Sequence, residues 1–239
     1  MTPSAFIKPI PSSVAIFGAS GHIGGPMARF LRFHAPHIRL RLISSSADKL
    51  GELRQQHPGA EVVLANYFDQ SSLDAAMVGI QGVFVITTSL LDERPAMSNL
   101  VAALRKSGAL IHMIRITGIQ PDTNPKRIPK ALRDFGLGLE IQHPIARQIL
   151  DDADMPVTYL NCGASFMDNY LRMAGMIHEG LLCWHDRRVP YLDPREIGEA
   201  AARLLLSDDS RHVGQFYTLN NGESGLRPSE VAQMLLGLI

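Results

Sequence analysis

Apolar runs of strand length alternate with stretches whose apolar residues recur at helical spacing. Val14 to Phe17 is a short run of the kind that fills a buried strand. A glycine-rich turn follows it. Ile23, Met27, Phe30, Leu31 and His34 then recur at helical spacing. Further strands are expected at Arg39 to Ile43, Glu61 to Ala65, Val83 to Thr87, Ala109 to Ile116, Pro156 to Leu160 and Gln215 to Leu219. Between them, helices are expected at Ser71 to Val78, with serine at its start, and at Arg94 to Ser107, with Gly108 as a C-terminal stop. Leu139 to Ala153, Ser165 to His178, Arg195 to Leu206 and a last segment from Ser229 to Ile239 read as helices too. Strand–helix alternation of this kind demands a parallel sheet covered on both faces. Right-handed crossovers make it α/β, a doubly wound parallel sheet of Rossmann-like type. The stretch from Gly118 to Gly138 breaks the rhythm with Pro121, Pro125 and Pro129 among several basic residues. It is expected to be a surface loop with at most a short helix, either a solvated connection or a flap over a pocket.

Composition narrows the class. The chain has 239 residues, 46% hydrophobic and 19% charged, which suits one globular domain over residues 1–239. Lys+Arg and Asp+Glu are equal at 23 each, so no overall field draws the chain to nucleic acid. The segment Met1 to Ser13 has no long apolar stretch and does not read as a signal peptide. No run of membrane-spanning length occurs, so no membrane partner is expected. Cys162 and Cys183 form no metal pattern and sit in apolar stretches. The expectation is two reduced core thiols in a cytoplasmic protein, with no metal. A homodimer is the base-rate expectation for assembly.

The chemistry concentrates in Gly18-Ala19-Ser20-Gly21-His22-Ile23-Gly24, directly after a strand and directly before a helix. Gly18 permits the tight turn, Gly21 admits a pyrophosphate to the backbone, and Gly24 lets the helix pack closely on the strand. The helix N-terminus offers unpaired N–H donors to phosphate. Gly18, Ser20, Gly21, His22, Ile23 and Gly24 are therefore candidate dinucleotide contacts. Ser20 is no nucleophile elbow, because Gly21 follows it immediately. At the tip of the second strand stand Ser44, Ser45 and Ser46, with Lys49 nearby and no acid at the tip itself. Hydroxyls and a cation suit a 2′-phosphate, so NADP(H) is favoured over NAD(H). The same serines could instead cap the next helix. Asn66 follows the third strand, Thr87, Thr88 and Ser89 follow the fourth, and Thr117 ends the fifth. All lie where ligands bind in such sheets, at the strands' carboxyl edge.

With those residues in place, the chain resembles the NmrA-like branch of the atypical short-chain dehydrogenase/reductases. The likeness is carried by Val14 to Gly24, by Ser71 to Ile80 with Gly82-Val83-Phe84, by Met155 to Leu160 with Phe166-Met167-Asp168-Asn169, and by Val189 to Asp193 with Ile197 to Ala201. The resemblance implies an NADP-preferring domain with a small C-terminal substrate region, here near residues 161–195 and 220–239. Asn161, Phe166 and Asn169 become candidate substrate contacts, against the plainer reading of Phe166, Met167 and Tyr170 as core. It implies NAD(P)H-dependent reduction of a small quinone-like or conjugated acceptor, or else a non-catalytic redox sensor that binds the dinucleotide. No Tyr-x-x-x-Lys pair occurs in the sequence. Where related reductases carry a lysine before the sixth strand, this chain has His143, which could donate a proton to a reduced product or simply begin a helix. Asn161-Cys162 replaces the usual Arg-Pro, and Ser45 stands where an arginine is frequent.

Overall fold

The computed structural model describes residues 6–119, 128–162, 165–222 and 225–236. Seven parallel strands form the main sheet: β1 (Ser13–Phe17), β2 (Arg39–Ser44), β3 (Glu61–Leu64), β4 (Gly82–Val85), β5 (His112–Thr117), β6 (Val157–Asn161) and β9 (Phe216–Thr218). Their order is β3-β2-β1-β4-β5-β6-β9. The order reverses beside β1, which pairs β2 on one flank and β4 on the other. Sheets of this kind open a crevice at that reversal, above the carboxyl ends of the strands.

Alternation along each strand builds two cores. Val14 and Ile16 of β1, Leu40 and Leu42 of β2, and Ile114 and Ile116 of β5 face one side. There they meet α1 (Gly24–His34), α2 (Leu50–Gln56) and α9 (Pro194–Leu206). Ala15, Phe17, Ile43, Val83, Met113 and Tyr159 face the other, under α3 (Gln70–Met77), α4 (Glu93–Ser107) and α6 (Leu139–Asp152). This two-faced burial is why the strands read as continuous apolar runs. The doubly wound expectation is therefore met.

Local chemistry explains the boundaries. Asp69 caps α3 by accepting from the N–H groups of Ser71 and Ser72, so the cap is the aspartate and not the expected serine. Asp193 caps α9, with Pro194 in the first turn. Gly108 ends α4 at φ +65°, as a left-handed stop should. Gly198 lets α9 lie against α1, since a Cβ there would stand 2.7 Å from the Ile23 carbonyl oxygen.

Two expectations need correction. The segment expected as one helix from Ser165 to His178 is a two-residue strand, β7 (Ser165–Phe166), then α7 (Asn169–Arg172) and α8 (Ala174–His178). Strand β7 pairs in parallel with β8 (Tyr191–Leu192) as a small second sheet. Cys183 is exposed, not a core thiol, because its segment has no regular structure and little to pack against; Cys162 is buried as expected. In the proline-rich stretch, the short helix α5 (Lys130–Phe135) is present. Residues 120–127 of the Gly118 to Gly138 stretch, expected to be a solvated connection or a flap, lie outside the described residues. The final helix α10 spans Pro228–Leu236. No described helix is long and apolar enough to cross a membrane.

Candidate functional site

A cleft of about 1110 Å³ opens at the carboxyl edge of the sheet. It is lined by Gly18, Ser20, Gly21 and His22 of the glycine turn, by Ser44 at the end of β2, and by Ser45, Ser46 and Lys49 after it. Asn66, Thr87, Thr88, Ser89, Thr117 and His143 join them, with Phe166 and Asn169 from beyond β6. Three predicted residues stand behind this wall. Ile23 is buried in the core beside α1. Gly24 works through packing: a Cβ there would lie 2.4 Å from the Gly18 carbonyl oxygen. Asn161 is spent on the scaffold. Its Oδ1 accepts from Thr117 Oγ1 at 3.1 Å and from the Ile119 N–H at 2.8 Å, and its Nδ2 donates to Thr218 Oγ1 at 3.3 Å.

The glycine turn is a cradle of bare backbone. Gly18 sits at φ +66°, and the Gly21 N–H donates to its carbonyl at 2.9 Å. A Cβ on Gly18 would press to 2.7 Å of Ile86 Cγ2. Such a turn before a helix N-terminus matches the shape and polarity of a pyrophosphate. After β2, Ser44 Oγ donates to the Ser46 carbonyl at 2.9 Å and accepts from the Ser46 N–H at 3.1 Å. That local turn shapes the loop. Ser46 precedes the next helical turn but makes no side-chain cap bond, so the capping alternative for these serines is not realised. Asp48 is exposed and absent from the cleft lining.

The opposite wall holds buried charge. Glu93 and the Arg115 side chain are 0% and 1% exposed and form an ion pair. Thr87 Oγ1 donates to Glu93 Oε1 and accepts from Arg115 Nη2 at 2.8 Å, so the pair fixes a hydroxyl on the cleft wall. Gln142 Oε1 accepts from the Glu93 N–H at 2.8 Å, tying α4 to α6. The sequence hid this pair, because Arg115 sits inside an apolar strand and its partner lies 22 residues away.

His143, on α6, is 5% exposed. Its Nδ1 accepts from the Gly118 N–H at 2.7 Å, so the ring proton sits on Nε2. That buried Nε2–H has no partner among the described residues. Burial, and secondarily the Arg115 charge, lowers the ring's pKa to about 3. The imidazole is therefore neutral at physiological pH and presents a hydrogen-bond donor. It does not carry the extra proton that a direct acid would need.

A second histidine joins the two ends of the cleft. His22 Nδ1 meets Asp168 Oδ2 at 2.5 Å, and its ring stands edge-on to Phe166 with centroids 5.2 Å apart. Asp168 precedes α7, so this contact links the glycine turn to the region after β6. In the Trp184-His185-Asp186 run, Trp184 lines the cleft while Asp186 Oδ1 accepts from the Ser229 N–H at 2.9 Å. The three side chains do not converge on one centre.

Comparison with known proteins places this architecture. The NmrA-like family profile matches residues 11–223. The chain belongs to the NmrA-like family. It is 25% identical over 230 residues to a (4-alkanoyl-5-oxo-2,5-dihydrofuran-3-yl)methyl phosphate reductase of Streptomyces griseus, covering 92% of this chain and 72% of the relative. It is 26% identical over 227 residues to quinone oxidoreductase 2 of Escherichia coli, covering 93% and 73%. The crystal structure of a Citrobacter sp. triphenylmethane reductase complexed with NADP(H) superposes with a TM-score of 0.77 at 22% identity, over 95% of this chain and 76% of that one. That superposition shows the same overall fold in the two chains.

Proposed function

We propose that this chain is an NADPH-dependent oxidoreductase, an atypical short-chain dehydrogenase/reductase that reduces a small planar quinone-like or conjugated acceptor. One observation carries the reading: a glycine cradle, a hydroxyl-and-lysine loop and a histidine donor without a partner among the described residues line one cleft, and no described Asp or Glu lines it. A phosphorylated dinucleotide fits that set. Gly18 to Gly21 would accept the pyrophosphate, and Ser45, Ser46 and Lys49 would read a 2′-phosphate. The relatives named for quinone, dye and dihydrofuranone reduction support the same chemistry.

When bound, NADPH supplies the hydride, and the protein supplies placement and electrostatics. Thr87, held by Glu93 and Arg115, gives the nicotinamide end a rigid polar wall. His143 Nε2–H would donate to the acceptor's carbonyl oxygen as negative charge builds there. A neutral imidazole serves as such an electrophilic donor without first losing a proton. The product oxyanion then takes its proton from water. A quinone needs little acid assistance, which suits a site with no Tyr-x-x-x-Lys pair. The regions near residues 161–195 and 220–239 would form the substrate side, with Phe166 and Asn169 in contact. A cytoplasmic homodimer completes the reading: NADPH is an intracellular reductant, and two-fold pairs are the commonest assembly.

The test is a titration with NADPH and NADH, followed by steady-state NADPH oxidation over a quinone panel. Tight NADPH binding, weaker NADH binding and quinone-dependent oxidation are expected. NADPH binding with oxidation no faster than free quinone alone would make the protein a dinucleotide-binding regulator. Binding of neither nucleotide would overturn both readings.

A further inference from the structure

Four arginines surround the substrate end, and they divide into two kinds. Arg188 Nη2 meets Glu230 Oε1 at 2.6 Å, and Arg227 Nη1 lies 3.8 Å from Asp186 Oδ2. Both are matched by carboxylates. Arg172 and Arg187 line the cleft, and neither side chain makes an ion pair or hydrogen bond to another described residue. The division follows the backbone. Asp186 and Arg188 turn outward to the N-terminal end of α10, which pins the segment, while Arg187 and Val189 turn inward to the cleft. Trp184, exposed and on the same wall, adds a large flat apolar face.

Among the described residues that line the cleft stand Lys49, Arg172 and Arg187 and no carboxylate, although the chain's formal net charge is zero; Asp168, just behind the wall, is paired with His22. The cations are separated along the sheet. Lys49 follows β2, on one side of β1, whereas Arg172 of α7 and Arg187, from a segment without regular structure, come after β6, on the other. A dinucleotide whose 2′-phosphate reaches Lys49 and whose pyrophosphate lies on the glycine turn leaves the arginine end for the second reactant. A cleft lined by one sign of charge focuses its field and concentrates ligands of opposite sign. Arginine forks suit carboxylate, sulfonate and phosphate oxygens, and an indole face suits a planar ring beside them.

We propose that Arg172, Arg187 and Trp184 form an anion subsite, so that the preferred acceptor is a planar conjugated molecule bearing a carboxylate, sulfonate or phosphate. The proposal rests on the reductase reading for the word acceptor, but anion binding can be measured without turnover. Trp184 is the chain's only tryptophan, so its fluorescence reports this subsite alone. The protein is titrated, with and without saturating NADP+, with anthraquinone sulfonate and with the uncharged hydroxymethyl anthraquinone. These rings have no open position for addition of the exposed Cys183 thiol.

The expected result is quenching with the sulfonate bound about tenfold tighter than the neutral ring, the value of one good charge-assisted contact. That preference should shrink as salt rises. In the R172M/R187M double variant the ratio of the two affinities should fall to about one, and R172K/R187K should recover part of it. Equal affinity of the two probes in the parent protein overturns the proposal. So does a double variant that weakens NADP+ as much as the sulfonate, since the arginines would then hold cofactor phosphate. Absence of NADPH oxidation would sink the reductase reading and leave the quenching ratio to judge the anion subsite by itself.

Discussion

The two ends of the cleft are built on opposite principles. At the glycine turn the protein contributes backbone: Gly18, Gly21 and Gly24 are defined by the atoms they lack, and a Cβ on two of them would strike neighbours at 2.7 Å or less. The end after β6 contributes side chains. Arg172, Trp184 and Arg187 reach into the cleft from elements of four residues or fewer, or from none. The first end rests on β1, an interior strand paired on both flanks of a seven-stranded sheet; the second rests on a two-stranded pair and a few anchoring contacts. A phosphate-binding turn must hold one geometry, so it is tied to the core. A substrate end can vary its side chains with little consequence for the fold, which is how one family comes to serve different acceptors.

The Glu93–Arg115 pair lies between the two ends, and breaking it gives the sharpest contrast. Glu93→Leu leaves the Arg115 guanidinium buried and uncompensated, which should cost about 3–5 kcal/mol of stability. Chemical denaturation should show the loss, and Thr87 loses its fixed position with it. By comparison, Arg172→Met should leave the denaturation midpoint nearly unchanged, because that side chain is exposed. Equal losses for both variants would refute the division into a rigid frame and an adjustable end. Next in size is Gly24→Val. Its Cβ would meet backbone, not a side chain that can swing away. We expect about 2–3 kcal/mol of destabilisation by overpacking and loss of measurable NADPH binding, checked by denaturation and by calorimetric titration.

The same contrast explains what could be read from the sequence. The parallel sheet, its two faces and the glycine turn follow from local rules: apolar runs of strand length, helical spacing, and glycine where the chain must turn tightly. Thirteen of the fifteen expected cofactor contacts line one cleft because strand ends in such a sheet converge by topology alone. The misses are tertiary. Nothing near Arg115 in sequence announces Glu93, and nothing near His22 announces Asp168, 146 residues away. Asn161 is a candidate substrate contact through the family resemblance, yet its amide is taken up by Thr117, Ile119 and Thr218. Ser165 to His178 has helical composition, but the chain breaks there to place β7 beside β8.

His143 sharpens the comparison from the chemical side. His143→Phe should lower kcat for a quinone by about a hundredfold, the order seen when a single oxyanion donor is removed, with a smaller change in KM. Because the ring is already neutral, the wild-type kcat should stay flat from mildly acidic to alkaline pH; an inflection near the ordinary histidine value of 6.5 would show that the ring works as a titrating acid instead. Stability should behave differently. Burial lowers both His143 and His112 to about 3, against 6.5 for an exposed ring. The unfolded chain then binds protons that the folded chain refuses between those values. The contribution is complete above about 6.5 and is lost as pH falls toward 3. Thermal melting across that range should show a declining Tm, with a shallower decline in His143→Phe.

The smallest effect belongs to Lys49, and it tests whether the adjustable end has a counterpart at the nucleotide's far side. Lys49 is exposed and lies beyond the Ser44–Ser46 turn, so its removal should not touch the fold. If it pairs with a 2′-phosphate, Lys49→Ala should weaken NADPH about tenfold, one charge-assisted contact's worth, and leave NADH unchanged. Competitive titration of the two nucleotides measures the ratio directly. Equal loss for both would move Lys49 to the pyrophosphate or to general field strength. Selective loss would mean that the cleft uses the same device at both ends, an exposed cation with no carboxylate among the described residues of the wall. The 2′-phosphate would then be read at one end and the acceptor's anion at the other, with the glycine turn fixing the distance between them.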